Sequence, residues 1–129
     1  MKQLLIIAIA TVLLAGCVAT HPPESMPKKA PDISIHQAAG TGNIDAVSQH
    51  LAAGTNINLK DQSGWTPLHW AASKVHNETA KLLIKKGADV NAVNKEGLSP
   101  LDYAENQTFG LLIDHGAKSG VELKDEEQL

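Results

Sequence analysis

The alternation of apolar and polar positions is clearest between residues 64 and 91. Leu68, Ala71 and Ala72 fall at i, i+3 and i+4, which predicts a short helix with one thin apolar stripe. Thr66 stands before it as an acceptor for unpaired amides at a helix start. Pro67 suits the first helical position, where its missing N–H would have had no partner. A turn around Lys74 to His76 leads to Asn77, expected to cap a second helix with Ala80, Leu83 and Ile84 on one face. Gly87 follows, a residue that ends a helix in the left-handed conformation at little cost. Two short helices, each with one apolar side, cannot bury enough surface alone and need neighbours of the same kind.

The sequence supplies them. Gly54 and Gly87, Asn58 and Asn91, His36 and His69, and Ala38 and Ala71 are each separated by 33 positions, and Ser99-Pro100-Leu101-Asp102 repeats Thr66-Pro67-Leu68-His69 at the same offset. A fixed period of this length marks a stacked array of helix–turn–helix units. Gly64-Trp65-Thr66-Pro67-Leu68-His69-Trp70-Ala71-Ala72, followed by Gly87-Ala88-Asp89-Val90-Asn91-Ala92, resembles a nearly complete ankyrin repeat. The resemblance implies an all-α solenoid of about three repeats joined by short β-hairpin loops, spanning 33–60, 61–93 and 94–117. It also implies that His36 and His69 serve structure, their rings bonding backbone near the hairpins.

The outer repeats depart from the pattern. Ser34 is expected to cap the first inner helix, and Asn43 an outer helix with Ile44, Val47 and Leu51 inward. Terminal repeats have one face in water and are commonly atypical, which suits Ser34-Ile35-His36-Gln37 in place of the full motif. In the third repeat Gly116 follows Gly87 by 29 positions, four short of the period. The deleted residues correspond to Ser73-Lys74-Val75-His76, leaving Asn106 to start an outer helix with Leu111, Leu112 and Ile113. Residues 118–129, rich in Asp and Glu, are expected to be a frayed acidic tail.

Ahead of the array, Lys2 precedes an apolar run from Leu4 to Leu14, too short to cross a bilayer core and laid out like a secretory signal. Leu14-Ala15-Gly16-Cys17 resembles the lipobox of bacterial lipoproteins. That resemblance implies a signal peptide over 1–16, acylation of Cys17, and a membrane-held protein facing the periplasm; Val18 after the cysteine favours the outer membrane. With this one thiol acylated, no disulfide is available. Residues 17–32 hold four of the six prolines and read as a tether of roughly 45 Å at about 3.1 Å per residue.

Composition narrows the function. The formal charge is −3 and all eleven basic residues are Lys, so nucleic acid is not an expected partner, since its recognition leans on basic clusters and Arg. The six histidines form no His-x-x-x-His pair on a predicted helix face, and no metal or other cofactor is expected. The carboxylates are scattered over caps, loops and tail rather than paired for acid–base work, and no Ser/His/Asp set stands out. No enzyme activity is expected. A monomer that binds a protein partner is, as a scaffold or adaptor in the periplasm, or alternatively as an immunity-type inhibitor of a toxin delivered there. The ankyrin resemblance places the contacts at Gln62, Ser63, Trp65, Ser73 and Lys74 in the middle repeat and Lys95, Glu96 and Leu98 in the next. Trp65 is the leading contact, because an exposed Trp favours being covered. Trp70 is expected to pack between repeats.

Overall fold

A computed structural model describes residues 30–128. Cys17, the signal segment and most of the tether lie outside the described residues. Seven helices follow one another among those described: α1 (Ile35–Gly40), α2 (Ile44–Ala52), α3 (Pro67–Ser73), α4 (Asn77–Lys85), α5 (Pro100–Tyr103), α6 (Asn106–Asp114) and α7 (Gly120–Glu127). Each of the first three pairs is antiparallel, and the pairs stack: α1 on α3 and α3 on α5 form an inner layer, α2 on α4 and α4 on α6 an outer one.

The inner layer is closely spaced because its facing residues are small. Ala38, Ala39, Ala71 and Ala72 are fully buried there. Leu68, Leu83, Leu112 and Val47 fill the space between the layers, each contributing about 1.5–3 kcal/mol of apolar burial. Caps mark the helix starts: Ser34 accepts from the Gln37 amide, Asn43 from Ala46 and Thr66 from His69. Gly54, Gly87 and Gly116 end the outer helices at φ of 88°, 98° and 81°. The loops before α3 and α5 are turns, without a ladder long enough to make a strand among the described residues. Asp61 N–H donates to the Trp65 carbonyl, Asn94 N–H to that of Leu98, and Lys95 N–H ties the second turn to Ser63 of the first at 3.1 Å.

Three local expectations are corrected. Asn77 is the first residue of α4 rather than its cap; His76 holds the cap position without a side-chain bond, and Asn77 Oδ1 is buried with no partner. Ile44 is exposed, and Ala46, Val47 and His50 supply the buried face of α2. His50 is satisfied there: Nε2 donates to the Ile33 carbonyl at 2.6 Å, so the imidazole pins the chain entering the array. The third correction is the acidic tail. Ser119 caps α7 by accepting from the Glu122 amide, and the helix start is docked: Gly120 N–H donates to Asp102 Oδ2 at 2.7 Å, Lys118 N–H to Asn91 Oδ1 at 2.8 Å, and Ser99 Oγ–H to the Lys118 carbonyl at 2.6 Å. Lys118 also pairs with Glu126 along the helix. These bonds outweigh the carboxylate repulsion that composition emphasised.

The compressed third repeat has the form its spacing predicts. α5 ends at Tyr103, where α3 runs to Ser73, and Asn106 turns the chain into α6 at φ 53°. The corresponding turn in the middle repeat is made by Val75 at φ 58°, and in the first by Gly42 at φ 74°. A β-branched residue in the left-handed region is strained by roughly 1–2 kcal/mol, part of which glycine returns through its own conformational entropy. The half-exposed Val75→Gly substitution is therefore expected to raise unfolding stability by up to about 1 kcal/mol in urea titrations. Gly120→Ala is expected to act in the opposite sense. A Cβ there collides with the Gly97 carbonyl oxygen and stands 2.9 Å from Leu98 Cα, both rigid backbone. Stability should fall by about 1–3 kcal/mol, with a matching loss of helical circular dichroism as α7 detaches.

Candidate functional site

The period sets up the site by placing the same side-chain device before α3 and α5. Asp61 Oδ1 accepts from the amides of Ser63 and Trp65; Asn94 Oδ1, one period on, accepts from those of Glu96 and Leu98. Each turn is thereby closed by its own first residue. The remaining polar atom differs. Asp61 Oδ2 accepts the Trp70 indole N–H at 2.9 Å, whereas Asn94 Nδ2 donates to the Tyr103 phenol oxygen at 2.9 Å. Trp70 and Tyr103 also stand one period apart, so acceptor meets donor in one repeat and donor meets acceptor in the next.

Between these two lies Trp65, its ring centroid 5.0 Å from that of Trp70 and 4.6 Å from that of Tyr103, tilted by 53° and 44°. The three rings form a half-buried ladder along the inner side of the stack. Trp65 was expected to be exposed as the leading contact. It is half-buried instead, because the neighbouring repeat presents a ring within stacking distance.

Beside the ladder is a groove of about 960 Å³, bounded by Ser34, His36, Gln37, Gly40 and Thr41 of the first repeat, Lys60 to Ser63 of the turn, and Trp70 and Lys74 of α3. Trp70 floors it over Gly40, where a Cβ would lie 3.2 Å from the indole. Of the expected contact residues, Gln62, Ser63 and Lys74 come together here, all exposed. The others lie apart from it. Ser73 Oγ–H donates to the Trp70 carbonyl, Lys95 bonds Ser63 through its amide, and Glu96 accepts from the Tyr103 hydroxyl. The Leu98 carbonyl accepts from His69. Asp61, His36, Gln37, Lys60 and Trp70 were not among the expected contacts; the 33-residue offset between Asp61 and Asn94 is the signal in the sequence that would have marked Asp61.

The electrostatics favour a preformed surface. Partial desolvation pushes the Asp61 carboxyl upward, but the Trp70 indole and the amides of Trp65 and Ser63 outweigh it and hold the group below its ordinary value. Its charge is committed to the fold. Tyr103 is raised by desolvation and by the Glu96 carboxylate it donates to, so the phenol keeps its proton. Among the described residues no cluster of three or more His, Cys, Asp or Glu is placed to hold a metal, and no helix is long and apolar enough to cross a membrane.

This is the geometry of a helical repeat array with a preformed groove beside its aromatic ladder. A family model for three copies of the ankyrin repeat matches residues 35–122, and the chain belongs to the ankyrin repeat family. Protein phosphatase 1 regulatory subunit 27 of Homo sapiens is 38% identical over 90 residues, covering 70% of this chain and 53% of that protein. Protein phosphatase 1 regulatory subunit 12A of Mus musculus is 41% identical over 79 residues, 61% of this chain and 8% of that protein. An ankyrin repeat-containing protein of Schizosaccharomyces pombe is 38% identical over 72 residues, 56% and 35% respectively. The match thus spans about half or less of each relative. Ankyrin repeats are protein–protein interaction modules.

His69 gives the array a pH dependence. Its Nδ1 accepts from the Thr66 amide at 3.1 Å, so the proton sits on Nε2 and is donated to the Leu98 carbonyl at 3.0 Å. Burial lowers its pKa, more than the Leu98 bond restores. The unfolded chain takes up a proton near its ordinary value of about 6.5 while the folded chain does not, so the unfolded state binds more protons in that window. Stability from this residue is expected to be complete above about pH 6.5 and to fall as pH drops toward the lower folded value. Urea titrations between neutral and mildly acidic pH should show this slope, and His69→Leu should reduce it.

Proposed function

We propose that this protein is a lipid-anchored ankyrin module of the bacterial cell envelope, tethered through Cys17 and facing the periplasm, that holds a protein partner as a scaffold or adaptor. The observation that carries the binding part is the groove floored by Trp70 and rimmed by Gln62, Ser63 and Lys74. A large aromatic floor with an adaptable polar rim is the composition of interface hot spots. Phosphatase regulatory subunits among the relatives support a partner that is itself a protein. The anchor rests on Leu14-Ala15-Gly16-Cys17 after a short apolar run, and the outer membrane on Val18. The proline-rich stretch then spaces the array from the bilayer.

The experiment is photocrosslinking from residue 62 in intact cells, with Cys17→Ala made in parallel. Gln62 is preferred to Trp65 because its side chain is exposed and bears no packing role. One protein is expected to be captured, with capture reduced at least about tenfold by Lys74→Glu. Labelled palmitate is expected in the wild-type chain and absent from Cys17→Ala, which should leave the membrane fraction. Capture that ignores Lys74→Glu, or a Cys17→Ala chain still carrying label, refutes the corresponding half of the proposal.

A further inference from the structure

The outer layer allows each helix position to be compared across three repeats. Gln49, Leu82 and Leu111 occupy one equivalent position, and Leu82 and Leu111 pack against the core while Gln49, in the first repeat among the described residues, is exposed. This position faces the preceding repeat. Val47 with Leu51, Ala80 with Ile84, and Phe109 with Ile113 occupy the other pair of positions. Val47 and Ala80 are fully buried and Leu51 and Ile84 pack on the core, but Phe109 and Ile113 are 46% and 47% exposed. This pair faces the following repeat. The array is thus closed chemically at its first repeat, where glutamine replaces leucine, and left open at its last, where a phenylalanine and an isoleucine stand one helical turn apart. Solenoid ends ordinarily carry a polar outer face. α7 covers the inner layer through Gly120 and Asp102 and leaves this outer face uncovered.

We propose that the outer C-terminal face of the stack, built on Phe109 and Ile113 of α6, docks a cationic amphipathic helix of a protein partner in the place of a fourth outer helix. The shape follows from the array: the equivalent Ala80 and Ile84 are covered by a helix, α6 itself. The charge follows from the rim. From Glu105 to Asp114 the segment carries two exposed carboxylates and no lysine: Glu105 precedes the helix in extended backbone, and Asp114 adds its charge at the negative end of the helix dipole. A second copy fits less well. Its first-repeat face offers Gln49, and its last-repeat face would set like carboxylates against each other. This surface is separate from the groove proposed above.

The test uses the full-length chain in phosphatidylcholine nanodiscs, with empty discs as the blank. The probes are a dye-labelled peptide of about 18 residues with leucines on one helical face and lysines elsewhere, and its twin with every lysine replaced by glutamate. The lysine peptide is expected to bind, the glutamate twin at least about tenfold more weakly. Phe109→Lys combined with Ile113→Lys should weaken the lysine peptide at least about tenfold. Asp114→Lys, an exposed single change that spares the apolar stripe, should weaken it several-fold, and Lys74→Glu in the groove should leave it unchanged. Equal binding of the two peptides, or undiminished binding by the double variant with helical circular dichroism intact, overturns the proposal. So does sedimentation of the wild-type chain as a dimer that the double variant breaks, since the occupant would then be a second copy.

Discussion

The stack depends on one side-chain position reaching forward from each inner helix to the backbone that follows its own outer helix. His36 bonds the Leu59 carbonyl at 2.7 Å, His69 the Leu98 carbonyl at 3.0 Å, and Asp102 the Gly120 amide at 2.7 Å. These residues are successive members of the 33-residue period. Each such bond contributes about 1 kcal/mol net, and at His69 and Asp102, where the bond is part-buried, leaving the partner unmatched would cost more. The change from histidine to aspartate at the last member fits what it meets. After the first two repeats a turn presents a carbonyl and an N–H donor is needed. After the third the chain passes directly into α7, whose first amides lack partners and favour a carboxylate.

A second tie runs in parallel on the loop side. Asn58 Oδ1 accepts from the Asp89 amide at 2.8 Å, and Asn91 Oδ1 from that of Lys118 at 2.8 Å. The asparagine period stays at 33 while the receiving backbone has moved closer in sequence. The shortening of the third repeat therefore took place between its helices without disturbing the contacts that hold repeat to repeat. This explains how α5 can be reduced to Pro100–Tyr103 while α6 keeps its place on α4.

Most of the fold was legible because its determinants act on backbone. Thr66, Pro67, Gly87 and the period-related histidines specify caps, turns and inter-repeat bonds wherever they stand, so spacing alone gave the helix pairs and the deletion. Two of the departures, at Trp65 and at α7, share a cause: their environment is set by another repeat. Ile44 is apolar yet exposed, while His50 of the same helix is buried and bonded to Ile33, an environment set within the first repeat. Trp65 looked exposed until Tyr103 was placed beside it. For α7, the local signal was present in Ser119 followed by Glu122, a cap and an acid three residues later, but the acidic composition concealed it. What decides the matter is the tertiary partner Asp102, which no local reading supplies.

The groove was partly legible for the same reason. Gln62, Ser63 and Lys74 are surface positions that the period exposes. Trp70 and Gly40 make a cavity only as a pair, since the indole lies over residue 40 and a side chain there would press on it. Trp70 is also fixed by Asp61, whose remaining oxygen closes the turn that carries Gln62 and Ser63. Floor and rim are therefore one hydrogen-bonded unit, and a ligand meets a surface already ordered, with little conformational entropy left to lose on binding. On the proposed reading of the groove, specificity changes with least loss of stability at Gln62, Ser63 and Lys74, whose side chains are exposed, and with most at Trp70 or Asp61, whose atoms also hold the fold.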